Sequence, residues 1–370
     1  MGSISEVEQR SHLIKLIQAL QIITEVLAVL VVVALGVGCK RSSPPPLQTV
    51  AEEVGREHGI PTSILLAIAY SESRLSARGD ADVPPGWVKL TPGRKDPKRA
   101  AQLLGVDVSE VSRTRTTNLR AAAALLADAA TKVQLRRDAP ASSWGPAVEV
   151  FHGGKDPLAS ALYAQQVMTI HATGFRGTDD GGHVVELKGD GTELPRDPLR
   201  DHPPRLTEVI GAGFAPHLPA IATAHRILAP VPRTIKYIVI HTTQNTFSII
   251  LDFFRRAGTN VAAHYLVRSF DGLTVQTVDE RLVAFHDACF NEESIGIEHE
   301  GYVHEGNRWF SDEMYRASAK LVRDIAARHA IPLDREHILG HSEAPDCSDH
   351  VDPGTQWDWD RFMRLVSTPD

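Results

Sequence analysis

The chain has 370 residues, 42% of them hydrophobic, and a formal charge of −7. That length holds two domains of ordinary size with connections, and that apolar content suffices for packed cores. The acidic balance excludes the broad basic surface that a nucleic-acid partner would need. The first feature in chain order is an unbroken apolar stretch at residues 26–38 (VLAVLVVVALGVG), bounded by Glu25 and followed by Cys39, Lys40 and Arg41. Its length suits the hydrophobic part of an export signal. Extended back to Leu13 it is long enough to cross a bilayer as a retained anchor. The residues that follow, 42–46 (SSPPP), make a short stiff tether, so residues 1–46 read as signal or anchor plus tether.

Residues 47–175 are rich in alanine and leucine and read as a helical domain. Pro61 opens the apolar run at 64–68, with Thr62 or Ser63 available to serve its first turn. Residues 118–130 form a second helix, apolar on most sides. Residues 176–232 carry the turn signals Asp179-Asp180-Gly181-Gly182 and Gly189-Asp190-Gly191 and read as a linker, with a hairpin at 183–187 and a helix near 221–227. Residues 233–370 mix strands and helices. Residues 237–240 are a buried strand, 264–267 and 273–278 a hairpin across Asp271-Gly272, and 294–300 a further strand. Ser311 caps a helix whose apolar positions Met314, Leu321, Val322 and Ile325 keep helical spacing, and Pro332 ends it. The expected fold is multidomain: a mainly α N-terminal domain, then an α/β domain with a central mixed sheet flanked by helices.

Three residues of the last region suggest a metal site. They are His241 after the first strand, His341 in Gly340-His341-Ser342-Glu343, and Asp352 in Val351-Asp352-Pro353-Gly354. Two imidazoles and one carboxylate suit a catalytic zinc ion, because they leave a fourth position for water, and such an ion supports amide cleavage. Alternation along 294–300 puts Ile295 and Ile297 on one face and Gly296, Glu298 and Glu300 on the other. With the isoleucines in the core, Glu298 faces the cleft as a general base. His350 can stabilise an oxyanion or protonate a leaving amine. His264 and His286 read as cleft-lining or supporting groups, and His299, His304, His329 and His337 as non-ligands. Cys347 is a competing soft ligand. Cys289 and Cys347 are either a disulfide pair or two unpaired core residues. In the helical domain Leu65, Ile68 and Glu72 share one stripe, and a carboxyl at the edge of an apolar face tends to keep its proton, as a general acid must.

Seven short pieces in order carry a family resemblance: Ile240-His241-Thr242-Thr243, Ala263-His264-Tyr265, Phe270-Asp271-Gly272, Ala284-Phe285-His286, Ser294-Ile295-Gly296-Ile297-Glu298, Gly340-His341-Ser342-Glu343 and Asp352-Pro353-Gly354, the last followed by Trp357. Residues 233–367 resemble the type 2 zinc amidases, the N-acetylmuramoyl-L-alanine amidase family that includes peptidoglycan-recognition proteins. The resemblance implies His241, His341 and Asp352 as Zn2+ ligands and Glu298 as catalytic acid/base. It also implies cleavage of the bond between the lactyl group of N-acetylmuramic acid and L-alanine. His350 stands where that family often has lysine.

Residues 47–174 are similar to the lysozyme-like lytic transglycosylases through Glu72-Ser73, the segment 86–92, Asn118-Leu119, Trp144 and Phe151-His152-Gly153-Gly154. That similarity implies Glu72 as a lone acid/base cutting between muramic acid and glucosamine. Lys89 replaces a customary glutamine, and Phe151-His152 a customary Tyr-Asn. The stretch before Cys39 resembles a bacterial lipoprotein signal; Gly38-Cys39 fits the pattern and Gly36 departs from it. This implies a lipidated Cys39 and a body on the periplasmic side of the cell envelope; a retained span or a cleaved, secreted form are the alternatives. The expected partners are peptidoglycan or muropeptides and a membrane, with no nucleic acid; oligomeric state is not readable. The expected function is a peptidoglycan hydrolase. The alternatives are a non-catalytic recognition protein, or an amidase whose helical domain only targets glycan. The presence of all three candidate ligands favours the enzyme.

Overall fold

The alanine- and leucine-rich first half folds into α1 (Leu47–His58), α2 (Thr62–Ser73), α3 (Pro97–Leu104), α4 (Arg115–Lys132), α5 (Gly145–His152) and α6 (Pro157–Thr173). The computed structural model describes residues 45–78, 86–201, 210–227, 233–344 and 349–368, and the chain from Pro45 onward packs as one unit. The apolar stretch at 26–38, Cys39 and Cys347 lie outside the described residues, as does the side chain of Cys289. Among the described residues no helix is long and apolar enough to cross a membrane.

Local chemistry explains the helix ends. Gly59 closes α1 in the left-handed region at φ 68°. Asp96 and Asp156 accept hydrogen bonds from the first turns of α3 and α6, each with proline just inside the helix. Thr114 and Thr117 cap α4 reciprocally. Thr62 and Ser63 do not cap α2: the Pro61 carbonyl takes the N–H groups of Ile64 and Leu65 instead. The hairpin expected within 183–187 is larger: that segment supplies only the second arm, β2 (Val184–Lys188), paired antiparallel with β1 (Gly174–Thr178). The Asp179 carboxylate accepts the N–H groups of Gly181 and His183 in its turn, and that of Leu47 at the start of α1.

The expected helix near 221–227 is instead a 3-10 turn, Ala222–Ala224, followed by strand β3 (His225–Ile227). Seven residues are too few to sustain a helix alone, and the backbone pairs with a strand near residue 283. The remaining strands are β4 (Tyr237–Thr242), β5 (Tyr265–Val267), β6 (Thr274–Gln276), β7 (Leu282–Ala284), β8 (Ser294–His299) and β9 (Ile338–Gly340). β3 joins β7, and the main sheet runs β6-β5-β8-β4-β9, parallel except for the β5–β6 hairpin.

Two helical layers cover that sheet. On one face α8 (Asp312–His329), capped by the Ser311 hydroxyl, packs Met314, Leu321, Val322 and Ile325 against Ile238, Ile240, Ile295 and Ile297. Helix α9 (Trp359–Ser367) adds Phe362 and Val366. On the other face α7 (Phe247–Arg255) sets Phe247 and Leu251 on Leu266 and Val275, and α6 completes the cluster with Ala159 and Leu162.

Polar clasps join the same two regions. The buried Asp252 carboxylate accepts the N–H groups of Lys155 and Asp156 at 2.7 Å each and pairs with Arg94. The Glu300 carboxylate accepts the N–H groups of Phe247 and Ser269 at 2.9 and 2.8 Å, with the Arg74 guanidinium 3.9 Å away.

Buried histidines make the fold sensitive to acid. Burial pushes His152 down to about 2 and His299 down to about 3, from an ordinary value of 6.5. The unfolded chain therefore binds protons below pH 6.5 that the folded chain refuses. Stability is full above that pH and falls as pH drops toward the folded values, by up to ~1.4 kcal/mol per pH unit for each ring. Urea-unfolding midpoints measured from pH 7.5 to 4.5 should fall steadily; a flat profile would contradict the neutral, buried state of these rings.

Candidate metal centre

Strand register builds the site. In the parallel β4–β8 pair, Val239 lies beside Gly296 and His241 beside Glu298. The isoleucines of both strands face α8, so His241 and Glu298 share the opposite face. A Cβ on Gly296 would come within 2.5 Å of the His286 ring, so the missing side chain makes room for that imidazole. Pairing of β9 with β4 delivers His341 directly after Gly340. Asp352 arrives on a separate loop that is pinned to the sheet. Its Oδ2 accepts the Thr242 N–H at 3.3 Å, its carbonyl accepts the Ser342 N–H at 2.9 Å, and the Thr242 hydroxyl donates to the Pro353 carbonyl at 3.3 Å.

The three side chains converge. His241 Nδ1 lies 3.0 Å from His341 Nδ1, and each lies 3.2 Å from an Asp352 oxygen. One donor atom from each falls within 4.8 Å of the others, and all three residues are buried. Ligands placed ~2.1 Å from a tetrahedral zinc stand roughly 3.4 Å apart, so both the spacing and the N, N, O donor set fit such an ion. The electrostatics agree. Burial opposes charge on His341, but Asp287 and Asp352 override it and hold the ring at about 9. Burial likewise opposes charge on Asp352, yet the two imidazoles hold its carboxyl well below the usual range.

Glu298 stands beside the cluster. Its Oε2 is enclosed and accepts no hydrogen bond among the described residues. Burial first, and then the neighbouring Asp352 carboxylate, push Glu298 up to about 8 against the pull of His341. Such a group can give and take a proton near neutral pH. His350 lies at the outer edge: its ring stacks on His341 at 4.2 Å between centroids, and its Nδ1 is 3.5 Å from Asp352 Oδ1. The structure thus gathers five of the six predicted site residues.

The sixth, Glu72, makes none of these contacts. It sits in the helical half, 1% exposed. Its Oε1 meets the Tyr163 hydroxyl at 2.5 Å and the Lys95 ammonium at 3.0 Å, while its Oε2 accepts the Lys89 N–H at 2.9 Å. Glu72 therefore does not stand at an open apolar edge: the Lys95 ammonium and the Tyr163 hydroxyl enclose it. His264 is fully buried and so does not line the cleft, but its ring stands edge-on to His286 at 5.7 Å, as a supporting group would. Its Nδ1 accepts the Gly296 N–H and its Nε2 faces the Leu282 carbonyl, so it ties strands together. His286 does support the site, with Nδ1 3.0 Å from His241 Nε2. His299 is bonded to the His241 carbonyl and Ser318, His329 to Glu280, and His337 to Asp334. Sequence reasoning missed Asp287, whose Oδ1 is 3.4 Å from His341 Nε2. Its place after His286 was the only available signal.

Comparison with known proteins bears on the same region. Residues 231–355 match the family model described as N-acetylmuramoyl-L-alanine amidase. N-acetylmuramoyl-L-alanine amidase A of Achromobacter lyticus is 29% identical in an alignment 147 positions long that covers 35% of this chain and 82% of that protein. The 1,6-anhydro-N-acetylmuramyl-L-alanine amidase AmpD of Salmonella typhimurium is 34% identical over 125 residues, which is 31% of this chain and 62% of that protein. Among solved structures, the amidase AmiD from E. coli, in complex with anhydro-N-acetylmuramic acid-L-Ala-D-gamma-Glu-L-Lys, is 26% identical. It covers 38% of this chain and 60% of that one, with a TM-score of 0.31.

Removing the carboxylate tests the cluster. Asp352→Ala leaves two facing imidazoles and removes the one carboxylate of the three-donor set. If the cluster holds zinc, metal analysis after dialysis should find about one zinc per chain in the parent and far less in the variant; a variant that retains it at the parent's level would break the assignment.

Proposed function

We propose that the chain is a peptidoglycan hydrolase, a zinc-dependent N-acetylmuramoyl-L-alanine amidase acting on muropeptides or intact peptidoglycan. The observation that carries this reading is the convergence of His241, His341 and Asp352 within 4.8 Å, beside the Glu298 carboxyl. The family match over residues 231–355 supports it.

In this reading His241, His341 and Asp352 hold the zinc ion, which when bound activates water and polarises the scissile carbonyl. Glu298 removes a proton from the attacking water and returns it to the departing nitrogen of L-alanine. Its raised pKa matches both halves of that task. His350, at the open edge, is placed to donate a hydrogen bond to the oxygen that gains charge. The bond between the lactyl carbonyl and the alanine nitrogen breaks, leaving a free carboxylate on the sugar and a free amine on the peptide.

For the helical half we propose glycan targeting without cleavage. The enclosure of Glu72 by Lys95 and Tyr163 supports this, because a general acid must reach its substrate. We further propose that the signal-like stretch anchors the protein to a membrane in the cell envelope through lipid on Cys39.

Digestion of peptidoglycan followed by mass spectrometry tests the scheme. Stem peptides should be released, chelator should abolish their release and zinc should restore it. Anhydro-muramic ends should be absent with or without chelator; chelator-resistant anhydro ends that vanish in Glu72→Gln would instead establish a second activity. Glu298→Gln should keep its zinc and lose ~10²- to 10⁴-fold in kcat; full activity in that variant would remove Glu298 from the mechanism.

A further inference from the structure

Behind the two ligand histidines lie polar contacts that the amide chemistry does not itself use. The Ser294 hydroxyl donates to the Phe290 carbonyl at 2.7 Å. Its oxygen is therefore left to accept from His286 Nε2, 3.2 Å away. A neutral His286 that carries its proton on Nε2 has a bare Nδ1, and that atom faces His241 Nε2 at 3.0 Å. The His241 proton then belongs on Nε2, and its Nδ1, the atom in the ligand cluster, keeps a free lone pair. One carbonyl thus sets the tautomer of a ligand two rings away.

The second ligand has its own partner. Asp287 is 2% exposed. Among the described residues neither of its oxygens accepts a hydrogen bond, and Oδ1 lies 3.4 Å from His341 Nε2. A carboxylate opening a helical turn would ordinarily cap it, but this one makes no side-chain cap to the turn Ala288–Phe290. The Asn291 side chain takes the N–H groups of His286 and Asp287 instead, at 2.9 and 2.7 Å. The turn is held without the Asp287 carboxylate, which is left to face the ligand ring.

We infer that Asp287 and the Ser294–His286 pair are positioning residues, which fix both ligand rings with the proton on Nε2 and so present two bare Nδ1 atoms to the cation. The inference rests on the metal centre proposed above. Groups that orient a ligating imidazole in this way typically change metal affinity 10- to 100-fold when replaced.

The test uses full-length protein and zinc alone. Asp287→Asn keeps the shape and removes the charge; in competition with a chromogenic chelator it should bind zinc 10- to 100-fold more weakly than the parent. Ser294→Ala should loosen zinc less, since it disturbs only the far end of the relay. Long-range ¹H–¹⁵N spectra of the zinc-loaded parent give the tautomers without any substitution, and both His241 and His341 should be protonated at Nε2. A zinc-loaded parent with either ring protonated at Nδ1, or Asp287→Asn holding zinc as tightly as the parent, overturns the inference. A parent that takes up no zinc overturns the metal centre along with it.

Discussion

The register of β4 against β8 is the constraint on which the rest of the structure depends. It sets His241 beside Glu298 and Ile240 beside Ile297. Side chains alternate along a strand, so a slip of one residue would turn a strand's chemistry into the core and its isoleucines into the cleft. What prevents the slip is burial of Ile238, Ile240, Ile295 and Ile297 against α8. The apolar layer, which touches no substrate, thereby decides which face carries the acid and the imidazoles. Asp352 comes from the other end of this domain's sequence, and the Thr242 backbone on the same strand holds it in place.

The helical half is fastened to that sheet by two kinds of contact with different demands. Leu162 and Ala159 supply apolar cover that any well-fitting side chain could provide. The Asp252 and Glu300 clasps are more exacting. Each is a buried carboxylate whose oxygens are met by backbone N–H groups, with a guanidinium drawn from the helical half. Removing one partner of such a group costs far more than the pair contributes to stability. These clasps therefore fix how the two halves meet more than they add stability.

The strands and the three candidate donor residues were legible because each depends on short-range pattern. Alternation marked β8, Asp271-Gly272 marked the β5–β6 hairpin, and the short motifs around His241, His341 and Asp352 kept their order. What the sequence hid depends on residues far apart in it. Strand β3 exists because β7, some sixty residues later, offers an edge. Glu72 looked like an isolated acid on an apolar stripe until the fold brought Lys95 and Tyr163 to it. His264 sits in one of the short motifs that carry the resemblance but turns its nitrogens to β-sheet backbone. Asp287 had no periodicity to announce it, and only its distance to His341 shows what it faces.

The contribution of α6 to the sheet's cover bears on how separable the halves are. Residues 233–370 look self-sufficient in sequence, yet Phe247, Leu251 and Leu266 share their cluster with Leu162 and Ala159 from before the linker. A fragment cut at residue 176 would carry that greasy flank into water and tend to self-associate. Within this chain the α/β half shares its core with its helical neighbour, so cutting between them would expose part of both.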